Sequence, residues 1–292
     1  MPGERAVATP DGRTLAVREG GDPDGVPVLV HHGTPGSALL FEPTDALARE
    51  QGVRLVSYDR PGYGGSTRAP GRSVGDCVAD VHAIADALAL DRFATWGLSG
   101  GGPHALACAA RCDERLAAVA LLGSVAPYDA DGLDWFDGMG EENVEEFGAA
   151  LEGEDVLRAF LGPARDEHLR TTPERLVELF STLAGPADRE VLNGAFASWL
   201  LAAGERGLRD GVDGWLDDDL AFAEPWGFGP EEADRPVLLL HGGDDRFVPV
   251  AHGRWLAERI PGVEARIDPD EGHLTLPLRR LRETHEWLLE RV

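Results

Sequence analysis

Short, nearly continuous apolar runs recur along the chain at 26–31 (Val-Pro-Val-Leu-Val-His), 53–58, 93–98, 118–122 and 237–241. Runs of this length without alternation predict strands covered on both faces, as in a parallel sheet. Residues 14–19 predict another strand, and Val263-Glu264-Ala265-Arg266-Ile267 alternates in the manner of an edge strand. Between them the apolar period is helical, at 38–50, 103–112, 250–260 and 278–291. It is clearest at 74–89, where Val74, Cys77, Val78, Val81, Ala85 and Leu88 recur at three- and four-residue steps behind Ser73 as N-cap. Strands alternating with helices predict an α/β chain with a mostly parallel sheet and helices on both faces.

The alternation stops between 125 and 235. Helical patterns near 141–151, 173–183 and 187–203, with no strand among them, predict a helical insertion over one end of the sheet. The core is then 1–124 and 236–292, and the cap is 125–235. Charge sets this segment apart, because residues 127–235 hold 27 acidic residues and 8 arginines, while the 292-residue chain has a formal net charge of −25. A solvated acidic surface is the expectation, with a field that disfavours anionic substrates as its sharper consequence.

Composition narrows the function. With 43% hydrophobic residues the chain can bury a sizeable core, which excludes wholesale disorder. Every basic residue is arginine, so lysine Schiff-base chemistry is excluded. No basic footprint for nucleic acid is present, and no stretch reaches the ~18 apolar residues of a membrane span. The cysteines Cys77, Cys108 and Cys112 are odd in number and lack Cys-x-x-Cys spacing, so they predict neither a disulfide framework nor a zinc site. A reducing cytoplasm is the expected location.

Candidate chemistry sits at the ends of the predicted strands. Gly97-Leu98-Ser99-Gly100-Gly101 follows the apolar run at 93–96 and precedes a helix opening near Pro103. A serine on a sharp strand-to-helix turn is exposed above the sheet when small residues flank it, and the helix N-terminus adds N–H donors. His32-Gly33-Thr34-Pro35-Gly36-Ser37 follows an earlier strand. Acyl transfer needs two N–H donors at the developing oxyanion, one after the nucleophile (Gly100) and one from such a loop. Pro35 has no N–H, which leaves Thr34. A serine also needs an imidazole base, and the imidazole needs a carboxylate. Asp244 or Asp245 follows the run at 237–241, and His273 follows the last strand, giving the order serine, acid, histidine. Of the remaining histidines near this rim, His32 and His241 read as members of their turns. No His-x-x-x-His or His/carboxylate spacing predicts a metal.

Taken together, His32–Ser37, Asp59-Arg60-Pro61-Gly62-Tyr63-Gly64-Gly65-Ser66, the Ser99 elbow, His241–Pro249 and Gly272-His273 resemble the α/β-hydrolase fold family over nearly the whole chain. The resemblance implies about eight mostly parallel strands, a helical cap inserted after the sixth, and Asp245 rather than Asp244 as the acid. Serine at the elbow separates the chain from members that dehalogenate or open epoxides, which carry Asp there. Gly101-Gly102-Pro103 departs from the Trp usual in iminopeptidase-like members. Asp59 and Arg60 are expected to brace their turn. The expected function is hydrolysis of a neutral, fairly apolar carboxylic ester through an acyl-enzyme: Ser99 attacks, His273 is the base, Asp245 orients it, and Thr34 and Gly100 form the oxyanion hole. Alternatives within the fold are a carbon–carbon bond hydrolase, a cofactor-free perhydrolase or haloperoxidase-like enzyme and an iminopeptidase-like enzyme; outside catalysis, a ligand-binding protein. His104, five residues after Ser99, reads as a packed or pocket-lining residue, and it and Trp226, in Pro225-Trp226-Gly227-Phe228, are the candidates for the substrate pocket, which some of the cap's aromatic residues should roof. No metal or cofactor is expected, nor any partner beyond a small-molecule ester, and the oligomeric state is left open.

Overall fold

The computed structural model describes residues 4–292; Met1–Gly3, at the start of the expected core, lie outside the described residues. Its strands are β1 (Arg5–Ala8), β2 (Thr14–Gly21), β3 (Val26–His31), β4 (Val53–Tyr58), β5 (Phe93–Leu98), β6 (Leu116–Leu122), β7 (Val237–Gly242) and β8 (Glu264–Asp268). They form one sheet in the order β1-β2-β4-β3-β5-β6-β7-β8. The β1–β2 and β2–β4 pairs are antiparallel and the others parallel.

The apolar runs are continuous because both faces of the central strands are covered. Along β6, Leu116, Val119 and Leu121 pack on one face, and Ala118, Ala120 and Leu122 on the other. The first face meets helices Cys77–Ala87, Gly101–Arg111 and Val250–Arg259; the second meets Glu42–Glu50 and Leu281–Leu289. All six residues of the apolar stripe read at 74–89 lie in that first core. The helix begins there with a 3-10 turn at Val74–Asp76, in which the Ser73 N–H donates to Asp76 Oδ2 at 2.7 Å.

Between β6 and β7 the chain forms six helices and no strand among the described residues: Glu141–Glu152, Glu154–Arg170, Leu176–Leu179, Pro186–Val191, Gly194–Gly207 and Asp213–Ala223. Several details differ from expectation. Strand β1 was not predicted; it is four residues long and buries only Val7. The interval 173–183 holds a 3-10 turn and one short helix, and 187–203 is broken before Gly194, whose φ is +52°. Helices Glu154–Arg170 and Asp213–Ala223 were not predicted: the first packs Leu157, Phe160, Leu161 and Ala164 on one face but carries Pro163 in its interior, and the second has Asp at four of its 11 positions. Among the described residues no helix is long and apolar enough to cross a membrane.

Candidate active site

The sheet order reverses at β3: the chain passes from β3 to β4 on one side and then to β5 on the other. Loops leaving the C-terminal ends of β3 and β5 therefore diverge, and the crevice between them is where open α/β sheets bind ligands. Thr34 follows β3 and Ser99 follows β5.

Ser99 holds φ at +55°, a region costly for a residue with a Cβ and typical of strained functional turns. Its backbone N–H donates to Leu122 O at 2.9 Å, and its carbonyl accepts from Gly102 N at 2.8 Å. The turn is so tight that a Cβ at Gly97 would stand 2.1 Å from Gly101 O, which accounts for the glycines around the serine.

Asp245 follows β7 and is buried. Its Oδ2 lies 2.7 Å from His273 Nδ1, and its Oδ1 accepts from Val248 N at 2.8 Å. Asp244 instead faces Arg246, at 3.5 Å. The structure thus brings Asp245, not Asp244, to the imidazole. Phe247 stacks on the ring at 4.8 Å. Burial works against the His273 imidazolium, but Asp245, with Asp188 beyond it, outweighs burial and raises the ring's pKa above the ordinary histidine value. His273 and Ser99 line the same cavity. Among the described residues no hydrogen bond joins the serine hydroxyl to the ring, a contact that in unliganded sites often tightens only with substrate.

The N–H groups of Thr34 and Gly100 carry no hydrogen bond among the described residues. The two residues abut, since a Cβ on Gly100 would stand 2.3 Å from Thr34 Oγ1. Behind them lies a buried ionic network. Arg60 donates to His32 O, to Gly33 O (3.1 Å), to Thr34 Oγ1 (2.9 Å) and to Asp218 Oδ2 (2.6 Å). Asp218 also accepts from Thr34 Oγ1 (2.7 Å), Tyr63 Oη (2.9 Å) and Arg72 (2.6 Å). Burial opposes the Asp218 charge, but the two guanidinium groups hold its carboxyl well below the usual range. Asp59 braces its turn by accepting from Gly65 N at 3.0 Å, and ties that turn to Ala38 N and Arg206, each at 2.6 Å.

Core and insertion together enclose a cavity of about 850 Å³ that exposes Ser99, Gly100, Thr34 and His273. Phe147, Phe160, Phe180, Phe196, Trp199, Trp215 and Phe222 of the insertion line it, whereas Trp135, Phe136, Trp226 and Phe228 do not. Neither of the two pocket candidates lines it. His104 is fully buried behind the Ser99 turn, its Nδ1 2.8 Å from Gly100 O and its ring stacked 6.2 Å from His31; it does not reach the cavity. Trp226 packs in the core against the sheet, 5.8 Å from Phe228, and also stays out of the cavity. Among the described residues no cluster of His, Cys, Asp or Glu could hold a metal ion.

A family model described as the alpha/beta hydrolase fold matches residues 26–279. The chain belongs to the α/β-hydrolase fold family. A non-heme chloroperoxidase from Streptomyces lividans is 29% identical over 248 residues, covering 84% of this chain and 83% of that protein. A bifunctional esterase/perhydrolase from Acinetobacter calcoaceticus is 25% identical over 246 residues, 83% of each. The crystal structure of a bromoperoxidase from Bacillus anthracis matches with a TM-score of 0.71 at 21% identity, covering 98% of this chain and 99% of that one.

Sequence reasoning missed the carboxyl groups that this α/β-hydrolase buries in its insertion. Asp188 and Asp218 reach the loops of His273 and Thr34. Glu146 lines the cavity and accepts from Trp215 Nε1 at 2.8 Å. Burial pushes its pKa up to about 7, against the hydrogen bond from Trp215. Asp219 is raised further, by burial and then by Glu146. A run of acidic residues on a helix carries no signal for this, because the partners come from distant loops.

Proposed function

We propose that this α/β-hydrolase cleaves neutral, apolar carboxylic esters through an acyl-enzyme, with segment 125–235 acting as a cap over the cavity. The observation that carries the reading is one cavity onto which a strained serine, a carboxylate-paired imidazole and two unengaged backbone N–H groups all open. Ser99 Oγ attacks the ester carbonyl and its proton passes to His273 Nε2, while Nδ1–H donates to Asp245, which fixes the tautomer and stabilises the imidazolium. The carbonyl oxygen becomes an oxyanion and accepts from Thr34 N and Gly100 N, worth about 3–4 kcal/mol per donor. Collapse expels the alcohol, which takes the proton from His273. Water, deprotonated by the same imidazole, then releases the acid and restores Ser99.

The apolar lining favours apolar acyl or alcohol groups. Glu142, Glu145, Glu146, Glu167 and Glu178 border the cavity and no arginine does among the described residues, so an anionic ester meets repulsion there. Catalysis needs no cofactor in this scheme. The three cysteines are free and buried, which suits a cytoplasmic setting. The relatives described as chloroperoxidase and esterase/perhydrolase favour a second reading, in which hydrogen peroxide replaces water on the acyl-enzyme and a peracid leaves.

Fluorophosphonate labelling of the wild type and Ser99→Ala, beside a panel of chromogenic esters with and without peroxide, tests the proposal. Labelling lost in S99A together with turnover of neutral esters is the expected result. Equal labelling of both proteins, or no ester turnover, overturns it. Peracid formation outpacing hydrolysis selects the second reading.

A further inference from the structure

The loop that carries His273 is held from the insertion. Helix Pro186–Val191 places Asp188, fully buried, against three successive backbone N–H groups. Its Oδ2 accepts from His273 N at 3.0 Å; its Oδ1 accepts from Leu274 N at 2.7 Å and Thr275 N at 3.2 Å. Gly272 leaves the room for this, since a Cβ there would stand 2.4 Å from Asp188 Oδ1. The helix is itself secured: Arg189 donates to Ala184 O at 2.8 Å and to Ser181 O at 2.7 Å. Its first residue follows Gly185, where a Cβ would meet Asp244 at 2.3 Å, so the same helix also rests on the loop that carries Asp245.

A carboxylate withdrawn from water is costly unless its lone pairs are filled, and hydrogen bonds from N–H groups to a charged acceptor are among the stronger ones. Burial raises the Asp188 pKa, while the charge of His273 and the N–H donors oppose that rise. We infer that Asp188 is a positioning residue for the general base: it fixes the backbone from which the imidazole hangs and sets a second negative charge beside the ring. The role assigned to His273 rests on the ester-hydrolase reading above. Asp245 orients the ring through Nδ1, and Asp188 fixes the loop, so core and cap set the base jointly.

Several titratable groups surround the imidazole. Asp245 faces it from the loop after β7, and His241 lies 3.7 Å from the same carboxylate. Asp188, on the insertion, lies at the His273 backbone N–H (3.0 Å); Glu271, on the loop's other arm, is turned to Arg279 at 3.4 Å, and Asp244 to Arg246. Removing the Asp188 charge therefore leaves Asp245 as the carboxylate in contact with the ring.

The test is the titration of His273 by NMR in histidine-labelled wild type, Asp188→Asn and Asp188→Glu, with the resonance assigned by its loss in His273→Asn. In D188N the imidazole titrates at lower pH; in D188E, which keeps the charge but not the fit, it stays in place. For a neutral ester, kcat falls on the order of 10- to 100-fold in both variants, the scale of a small misplacement of a reacting group, with KM within about twofold. An unmoved titration in D188N overturns the inference, and so does a loss of kcat that tracks melting temperature with the titration unmoved. If D188N does not fold, D188E decides: a kcat reduced about tenfold or more supports the role, and wild-type kcat overturns it. Absence of ester turnover in the wild type would strike the ester-hydrolase reading alone, since the titration still decides the part played by Asp188.

Discussion

Asp218→Asn is the most direct probe of how the segment between β6 and β7 supports the loop after β3. Asp218 is fully buried and accepts from Arg60, Arg72, Tyr63 and Thr34 at 2.6–2.9 Å. Asparagine keeps the shape but removes the charge that balances two buried guanidinium groups, and it turns an NH2 donor toward groups that are donors themselves. Breaking a buried ion pair from one side costs about 3–5 kcal/mol. Unfolding entropy near ~2 cal/mol/K per residue gives roughly 0.6 kcal/mol/K for a chain of 292 residues. The melting temperature should therefore fall by about 5–8 °C in calorimetry at pH 7. Two features separate this cause from surface electrostatics. A buried pair is screened little, so the loss persists in 1 M salt. Asp218 is held well below the usual carboxylate range, so its stabilisation is present above the unfolded-state pKa and is lost only as pH falls through the depressed folded value. The difference between wild type and D218N should accordingly be flat from pH 5 to pH 8. A shift under about 1 °C, or one abolished by salt, would refute the reasoning.

Two further outcomes are expected. Asp245→Asn should lower kcat for a neutral ester on the order of 10⁴-fold with the melting temperature little changed, because the 2.7 Å contact that fixes the His273 tautomer becomes ambiguous; a loss below about tenfold would remove Asp245 from the mechanism. Glu146 has a folded pKa of about 7, above its ordinary value of 4.5, so its contribution is fully present at low pH and is lost as pH rises toward 7. Glu146→Gln should therefore gain thermal stability relative to wild type on going from pH 5 to pH 8, and a pH-independent difference in melting temperature would contradict the assignment.

Legibility followed from where partners lie. The central strands could be read because residues covered on both faces must be apolar, and the stripe at 74–89 because one helix face alone meets the sheet. The positions of Ser99, Asp245 and His273 could be read for a related reason: each follows a strand, and parallel strands deliver their C-terminal ends to one rim. The segment between β6 and β7 was harder to read: helix Glu154–Arg170 interrupts its apolar face with Pro163, and β1 is too short to show a period. His104 stayed open between packed and pocket-lining because spacing from Ser99 fixes its place on the helix but not which side of that helix faces the cavity. Asp188 has no local signature at all, since its three donors lie 85 to 87 residues away.

The acidic segment shows how net charge misleads. Its charge predicts a solvated surface, and many of its acids are exposed, yet Asp217, Asp218 and Asp219 are consecutive and all buried. Successive helical residues point about 100° apart, so three in a row cover more than half the circumference. A helix buried over such an arc must find partners on several sides. Asp217 meets Arg68 at 2.8 Å and Asp218 meets Arg60 and Arg72, while the Asp219 carboxyl finds no hydrogen-bond partner among the described residues and its pKa is raised by burial and by Glu146. All three arginines belong to the loop after β4, so this part of the insertion is joined to the core by charge rather than by apolar packing alone. A segment that holds both the Thr34 loop and the His273 loop cannot be exchanged freely. Changes of substrate range should instead concentrate in the residues facing the cavity from helices Glu141–Glu152 and Glu154–Arg170, such as Phe147 and Phe160, which support neither loop.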